Sequence, residues 1–152
     1  MEPHTPSVLA MMHLIVLAGW GGVVATESVI EVAPFRWRDL HPAAIRFHYW
    51  IDLLVELPLV LAVVATGVGL ALTTPELTGL HAVKISFGAT AVSVNLFCIL
   101  VVVRRGRRLR QGEDDRGLWR ASRVVLACFA TGLLAAAGAA ALGFRFALVR
   151  LG

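Results

Sequence analysis

Residues 57–75 read LPLVLAVVATGVGLALTTP and contain no charged side chain. A run of about 20 apolar residues is long enough to cross the hydrocarbon core of a bilayer as a helix. Three further uncharged runs of similar length occupy residues 8–26, 85–103 and 124–144. None of the runs alternates apolar and polar residues as the strands of a membrane barrel do. The sequence therefore predicts an all-α integral membrane protein built as a four-helix bundle.

The four runs predict helices over about residues 6–32, 43–72, 75–104 and 118–149, in a single transmembrane domain that covers residues 1–152. Hydrophobic residues make up 58% of the chain, which is more than soluble domains carry. No basic residue precedes the first run, so we expect it to remain as a helix and not to be cleaved as a signal peptide. The bilayer is thus the first expected partner.

The arginines predict the orientation of the bundle. Eight of them lie within residues 104–123, and Arg36, Arg38 and Arg46 lie near the link between the first two helices. Only two arginines follow, close to the C-terminus. Because basic links stay in the cytoplasm, we expect both termini to be periplasmic, in the inner membrane of a bacterium. This topology accounts for the net charge of +4, so nucleic acid is not an expected partner.

Two histidines lie at matching positions in the first and third predicted helices. His13 and His81 follow Thr-Pro pairs, at residues 5–6 and 74–75, by seven and six residues from the proline. Threonine caps a helix well and proline suits its first position, so both histidines are expected roughly 9–10 Å along their helices. Two imidazoles at one depth could hold a haem iron or another metal. Alternatively, each ring simply hydrogen bonds to a neighbouring helix.

Other residues of the predicted helices could take part in binding a cofactor or a metal. Lys84 lies one turn beyond His81, and Lys84 and Arg145 could bind haem propionates. Lys84 could instead extend its charge to the membrane surface. Trp20, flanked by glycines, could line a flat cofactor ring or a close helix contact. Met11 with its neighbours Met12 and His13 could suit copper, although consecutive helical residues point in different directions.

A polar stripe marks the second helix. His48, Asp52 and Glu56 are spaced four residues apart, so they share one face and could form a divalent-metal site or a proton pathway. Glu27 and Glu31 approach the same end from the first helix. The alternative for His48 and Asp52 is the wet headgroup zone, where polar side chains cost little.

Two more expectations concern the same helix. Arg46 is an expected ion-pair partner for Asp52 and Glu56. Pro58 is expected to kink the helix, because proline lacks the backbone donor.

The fourth helix contains a face of small residues. Gly132, Ala136 and Ala140 lie four residues apart, and small residues at this spacing allow close helix packing. This face could pack inside the bundle or against another subunit.

Two short motifs resemble a known group of proteins. The stretch HLIVLAGWGG at residues 13–22 and LHAVK at residues 80–84 resemble segments of copper-resistance-D-like proteins and membrane-type protoporphyrinogen oxidases, which are small four-helix membrane proteins. The resemblance implies an association with haem b in which His13 and Lys84 are important. Residues 26–31 read TESVIE where the oxidases continue with a Pro-Arg-rich segment, which implies a haem-binding relative without the oxidase reaction.

These observations lead us to expect a b-type haem protein with His13 and His81 as axial ligands. A pair of histidines leaves no open iron position, which is typical of electron transfer. A quinone, or another membrane or periplasmic protein, would receive the electrons, and any enzymatic role would be that of an oxidoreductase component. Two alternatives stay open: a cofactor-free accessory or anchor subunit of a larger complex, and a carrier of copper or another metal.

Overall fold

The computed structural model describes residues 8–73, 78–112 and 114–149, with side chains described as far as Leu142. This part of the chain contains helices and no strand. Four long helices are present, each with a segment long and apolar enough to cross a membrane. They are α1 (Val8–Arg36), α2 (Arg38–Thr73), α3 (Gly79–Arg110) and α4 (Asp115–Val149).

The helices alternate in direction. Near the start of α1, His13 contacts Thr66 near the end of α2. Near the end of α3, Arg105 contacts Ser122 near the start of α4. We call the end where α1 and α3 finish the arginine-rich end, and the opposite end the terminal end. Side chains from all four helices can therefore meet at the arginine-rich end.

The link between α1 and α2 is shorter than the expected segment of residues 33–42. Helix α1 continues through Pro34 to Arg36, and the backbone N–H of Trp37 still bonds to the carbonyl of Ala33. A 3₁₀ turn, Arg38–Leu40, then opens α2 directly. The polar end of α1 is thus held tightly against the beginning of α2.

Helix α2 is interrupted by a π turn over Asp52–Glu56. The backbone N–H of Leu57 bonds to the carbonyl of Asp52, five residues earlier. Pro58 follows at once and has no N–H for the carbonyl of Leu54, so the regular helical bonding pattern is broken at this point. At the position where a kink was expected, the structure thus shows a π turn immediately before Pro58.

Helix α3 begins later than expected. The described helix starts at Gly79 with Thr78 as its N-cap. The Thr-Pro pairs at residues 5–6 and 74–75 lie outside the described residues. His81 is the third residue of α3, in its first turn, and is not two turns along the helix as expected.

The apolar core has two parts. One buried group lies toward the terminal end of the bundle and contains Trp20, Val60, Val63, Ala91 and Ala135. The other lies near the arginine-rich end and contains Cys98, Val102, Val125 and Cys128. Both cysteines are free and buried, as expected for core residues. Large apolar side chains elsewhere face outward, among them Leu14, Leu72 and Leu134.

Part of the small-residue face of α4 packs inside the bundle. A Cβ on Gly132 would lie 3.9 Å from Val94 on α3, and Ala136 packs against the buried group that contains Trp20. Ala140, the third member of the face, is exposed. The close packing of α3 and α4 also involves Gly138, where a Cβ would lie 3.0 Å from the ring of Phe87.

Candidate metal centre

The arginine-rich half of the bundle encloses polar side chains from all four helices, which we call the polar cluster. Its members are each at most 8% exposed: Glu27, Glu31, His48, Asp52, Glu56, Asn95, Arg105 and Ser122. Residues four apart lie on one face of a helix. Glu27 and Glu31 therefore share a face of α1, and this face lies against the polar stripe of α2. Ionisable groups in an apolar bundle are costly, so their concentration here makes the cluster the candidate functional site.

Three members of the cluster converge on one point. His48 Nε2 lies 3.3 Å from Asp52 Oδ1 and 4.0 Å from Glu27 Oε1. One ligand atom from each residue lies within 4.8 Å of the others, and all three residues are 0% exposed. We call these residues the triad. Among the described residues, no N–H or alcohol group outside the triad donates to His48 Nε2 or to the carboxylates of Glu27 and Asp52.

Glu31 fixes the orientation of the His48 ring. Its Oε2 lies 2.9 Å from His48 Nδ1. A carboxylate only accepts, so this bond requires a proton on Nδ1. In the neutral ring, Nε2 then carries a lone pair that faces the other two carboxylates. Phe129 stacks on the opposite side of the ring at a centroid distance of 5.7 Å. A histidine held by a carboxylate in this way is typical of metal ligands.

Arg105 neutralises Glu31. Its Nη2 donates to Glu31 Oε2 at 2.8 Å, its Nη1 donates to Glu31 Oε1, and Nη1 also donates to Ser122 Oγ at 2.7 Å. The two parallel bonds form the fork geometry that arginine makes with carboxylates. Arg105 is 1% exposed, so the pair is a buried ion pair at the side of the triad.

Glu56 lies one turn further into the bundle. Its Oε1 accepts bonds from Trp20 Nε1 at 3.2 Å and from Asn95 Nδ2 at 2.6 Å. Trp20, expected to line a cofactor, therefore orients a carboxylate. Trp20 also belongs to the buried apolar group that contains Val60 and Val63, so this group adjoins the polar cluster at Glu56.

The predicted stripe of His48, Asp52 and Glu56 is thus brought together, and all three side chains are buried. His48 and Asp52 are enclosed by protein and are not in contact with water, as the headgroup alternative expected them to be. Arg46, the expected partner of these acids, is exposed, and Arg105 occupies the cluster in its place. Sequence reasoning missed Arg105 because it is one of eight arginines in the same segment, with no local signal that separates it from the others.

His13 is partly buried near the terminal end. Its Nδ1 lies 2.8 Å from Thr66 Oγ1, and that hydroxyl donates its proton to the Ala62 carbonyl. With the hydroxyl proton directed to Ala62, the neutral imidazole donates from Nδ1 and carries its lone pair on Nε2. Lys84 lies within electrostatic range of the ring. The two residues named by the family resemblance therefore lie toward the same end of the bundle.

His81 is part of the cap of α3. Its Nδ1 accepts from the backbone N–H of Thr78 at 3.3 Å and lies 2.8 Å from the Thr78 hydroxyl. In the neutral ring this bond assigns the proton to Nε2. The arrangement stabilises the start of the helix and uses the nitrogen lone pair of His81 in doing so.

The other predicted site residues lie apart from the cluster. Met11 and Met12 are 50% and 51% exposed, while the neighbouring His13 is turned toward α2. The side chain of Arg145 lies outside the described part of the structure.

Comparison with family models, with curated proteins and with solved structures gives no match for this chain. The geometry of the polar cluster is therefore the basis for assigning a function.

Proposed function

We propose that this chain is an integral membrane protein that binds a divalent transition-metal ion between Glu27, His48 and Asp52. The observation that carries the proposal is a set of five fully buried potential ligand atoms in these three side chains. Among the described residues, they receive no hydrogen bond from any N–H or alcohol group outside the triad. Buried polar atoms nearly always have a partner, and buried carboxylates need a positive charge nearby. One cation in their midst satisfies both requirements.

The charges of the cluster support a divalent ion. Arg105 already compensates Glu31 through two parallel hydrogen bonds. When ionised, Glu27 and Asp52 contribute two further negative charges beside the lone pair of His48. Glu56, the fourth acid of the cluster, lies one turn further on and accepts from the neutral donors of Trp20 and Asn95. An ion of charge two would neutralise the carboxylates of Glu27 and Asp52 and accept the imidazole as a neutral ligand.

The donor set favours particular metals. One imidazole and two carboxylates are ligands for Zn²⁺, Fe²⁺ or Mn²⁺, whereas Cu⁺ prefers thiolate or thioether sulfur. Cys98 and Cys128 belong to the second apolar group, and neither is among the three converging ligands. The three converging ligands thus include no sulfur atom for Cu⁺.

The position of the site favours holding an ion over conducting one through an open pore. Toward the terminal end it is followed by Glu56 and then by the apolar side chains of Trp20, Val60 and Val63. On its other side the Arg105–Glu31 pair is itself buried. With the arginine-rich end in the cytoplasm, as the positive-inside rule indicates, the site is nearer the cytoplasmic face.

Metal content tests the proposal. The protein, purified in detergent, is stripped with a chelator, dialysed against Zn²⁺ or Mn²⁺ and analysed for bound metal by mass spectrometry. We expect one tightly bound ion per chain in the unaltered protein and a loss of at least about tenfold in affinity for Glu27→Gln and Asp52→Asn.

Asp39→Asn is the matched control, because Asp39 is an exposed carboxylate at the same end of the bundle. It should bind metal as the unaltered protein does. An unaltered protein that retains no metal after dialysis would contradict the proposal, as would triad variants that bind as tightly as Asp39→Asn.

Haem binding remains a separate prediction. The lone pair on His13 Nε2 and the proximity of Lys84 support it, whereas His81 would have to release Thr78 before it could bind iron. The absorption spectrum of the protein after addition of haem separates the two sites. A Soret band that is lost in His13→Ala and kept in Asp52→Asn would establish haem binding at the terminal end.

A further inference from the structure

A second site lies on the outer surface of the bundle at the arginine-rich end. A cavity of about 280 Å³ opens between α2 and α3, away from the polar cluster. Its lining consists of Arg46, Tyr49, Trp50, Gly106 and Arg110. The lining contains two guanidinium groups and no carboxylate.

The two arginines are available to a ligand. Within the described part of the chain, neither Arg46 nor Arg110 forms an ion pair. Arg110 lies over the ring of Tyr49 at 4.6 Å and over Trp50 at 6.0 Å, so its planar group is held in place by aromatic contacts. A held guanidinium beside a second one is suited to binding a phosphate group.

Gly106 shapes the cavity. A Cβ at this position would lie 2.6 Å from Tyr49 Cδ2, so any larger residue would displace the tyrosine ring. The absence of a side chain at Gly106 therefore lets Tyr49 lie flat against α3 and support Arg110.

The surroundings of the cavity indicate which phosphate would enter it. Trp50 is 52% exposed and Phe47, one turn from the cavity, is 64% exposed, so the cavity opens beside an apolar surface. Tyrosine and tryptophan are enriched at the headgroup level of membranes. A ligand with a phosphate head and an apolar tail would satisfy both the arginines and the adjoining apolar side chains.

We infer that this cavity binds the headgroup of an anionic phospholipid from the cytoplasmic leaflet. Basic pockets between membrane helices on the cytoplasmic side are known to bind such headgroups. The inference rests on the proposed membrane insertion and orientation, and it does not depend on metal binding.

Lipid retention measured by native mass spectrometry tests the inference. The protein is reconstituted in vesicles of phosphatidylglycerol and phosphatidylcholine, its insertion is verified by flotation, and it is then released in mild detergent. We expect preferential retention of phosphatidylglycerol and about a fivefold loss of affinity for each of Arg46→Gln and Arg110→Gln, since one surface arginine contributes about 1 kcal/mol to anionic lipid binding.

Arg123→Gln is the matched control, because Arg123 is exposed near the start of α4 and does not line the cavity. It should retain phosphatidylglycerol normally. Gly106→Ala should weaken retention through Tyr49 while its circular dichroism stays helical.

Three results would overturn the inference. The first is equal retention of phosphatidylcholine, and the second is an equal loss of retention in Arg123→Gln. The third is displacement of the lipid by inorganic phosphate at millimolar concentration, which would show that a free phosphate is the ligand. A protein that fails to float with the vesicles would instead contradict the membrane insertion itself.

Discussion

At the scale of single residues, Glu31 joins the two halves of the polar cluster. Its Oε2 accepts from His48 Nδ1 at 2.9 Å and from Arg105 Nη2 at 2.8 Å. Removing its charge should loosen the imidazole while leaving all three proposed ligands in place. We expect Glu31→Gln to bind Zn²⁺ about 10–100-fold more weakly than the unaltered protein, measured by competition with a chelating dye. An unchanged affinity would mean that Glu31 does not position His48.

Arg105 provides a test of the buried ion pair by stability. Arg105→Met leaves the Glu31 carboxylate without its cation, which should lower the free energy of unfolding by about 3–5 kcal/mol. Denaturation in mixed detergent micelles, followed by circular dichroism, measures this loss.

The exposed neighbour Arg104 supplies the control for this prediction. Arg104→Met should stay within about 0.5 kcal/mol of the unaltered protein. Glu31→Gln combined with Arg105→Met should regain part of the loss, because the uncompensated charge is gone. Equal stabilities for the Arg105 and Arg104 variants would contradict the structural role of the pair.

At the scale of the helices, the uncharged runs predict the four elements but not their ends. Helix α1 extends past residue 32 to Arg36. Pro34 lies inside this last turn, and the backbone N–H of Trp37 still bonds to the carbonyl of Ala33. Helix α3 is capped at Thr78. The Thr78 side chain accepts from the backbone N–H of His81, and the His81 side chain accepts from the backbone N–H of Thr78. Several threonines precede α3 in the sequence, and which of them forms the cap depends on the conformation of the link.

The π turn in α2 determines which residues on its two sides face the polar cluster. Removing one residue from Asp52–Glu56 should restore regular helical bonding and rotate the residues on one side of the turn by about 100° relative to the other. The part of α2 that follows the turn packs on α1 through Val60, Val63 and Thr66. His48 and Asp52 both precede Leu54, so deleting Leu54 should turn this pair away from Glu27 on α1. We expect the deletion to weaken metal binding while far-UV circular dichroism remains helical.

Leu54→Ala is the control for the deletion, since Leu54 is 68% exposed and contributes only to the outer surface. It should bind metal normally. A deletion variant that retains full metal affinity would show that the π turn is not required for the site.

At the scale of the whole molecule, the sequence predicts which acidic and histidine residues form the site but not that the bundle buries them. The spacing of His48, Asp52 and Glu56, with Glu27 and Glu31 opposite, is visible in the chain itself. Whether these side chains are buried depends on how four helices turn toward one another, which no single helix encodes. The role of Arg105 could not be predicted from the sequence for the same reason, because it depends on Arg105 facing Glu31 across the bundle.

The orientation of the molecule is also testable. The arginine distribution predicts that the link after α3 faces the cytoplasm and that the N-terminus faces the periplasm. Gln111→Cys should therefore react with a membrane-impermeant maleimide only in inside-out vesicles, and Ser7→Cys only in right-side-out vesicles. The native Cys98 and Cys128 are buried and should contribute little background. The reversed labelling pattern would invert the orientation and place the metal site nearer the periplasm.

X-ray absorption spectroscopy at the zinc edge of the metal-loaded protein tests the proposed metal centre most directly. We predict a shell of nitrogen and oxygen ligands at about 2.0–2.2 Å, with the outer-shell scattering of a single imidazole that disappears in His48→Gln. A sulfur shell near about 2.3 Å, or an imidazole signal that survives in His48→Gln, would contradict a centre formed by Glu27, His48 and Asp52.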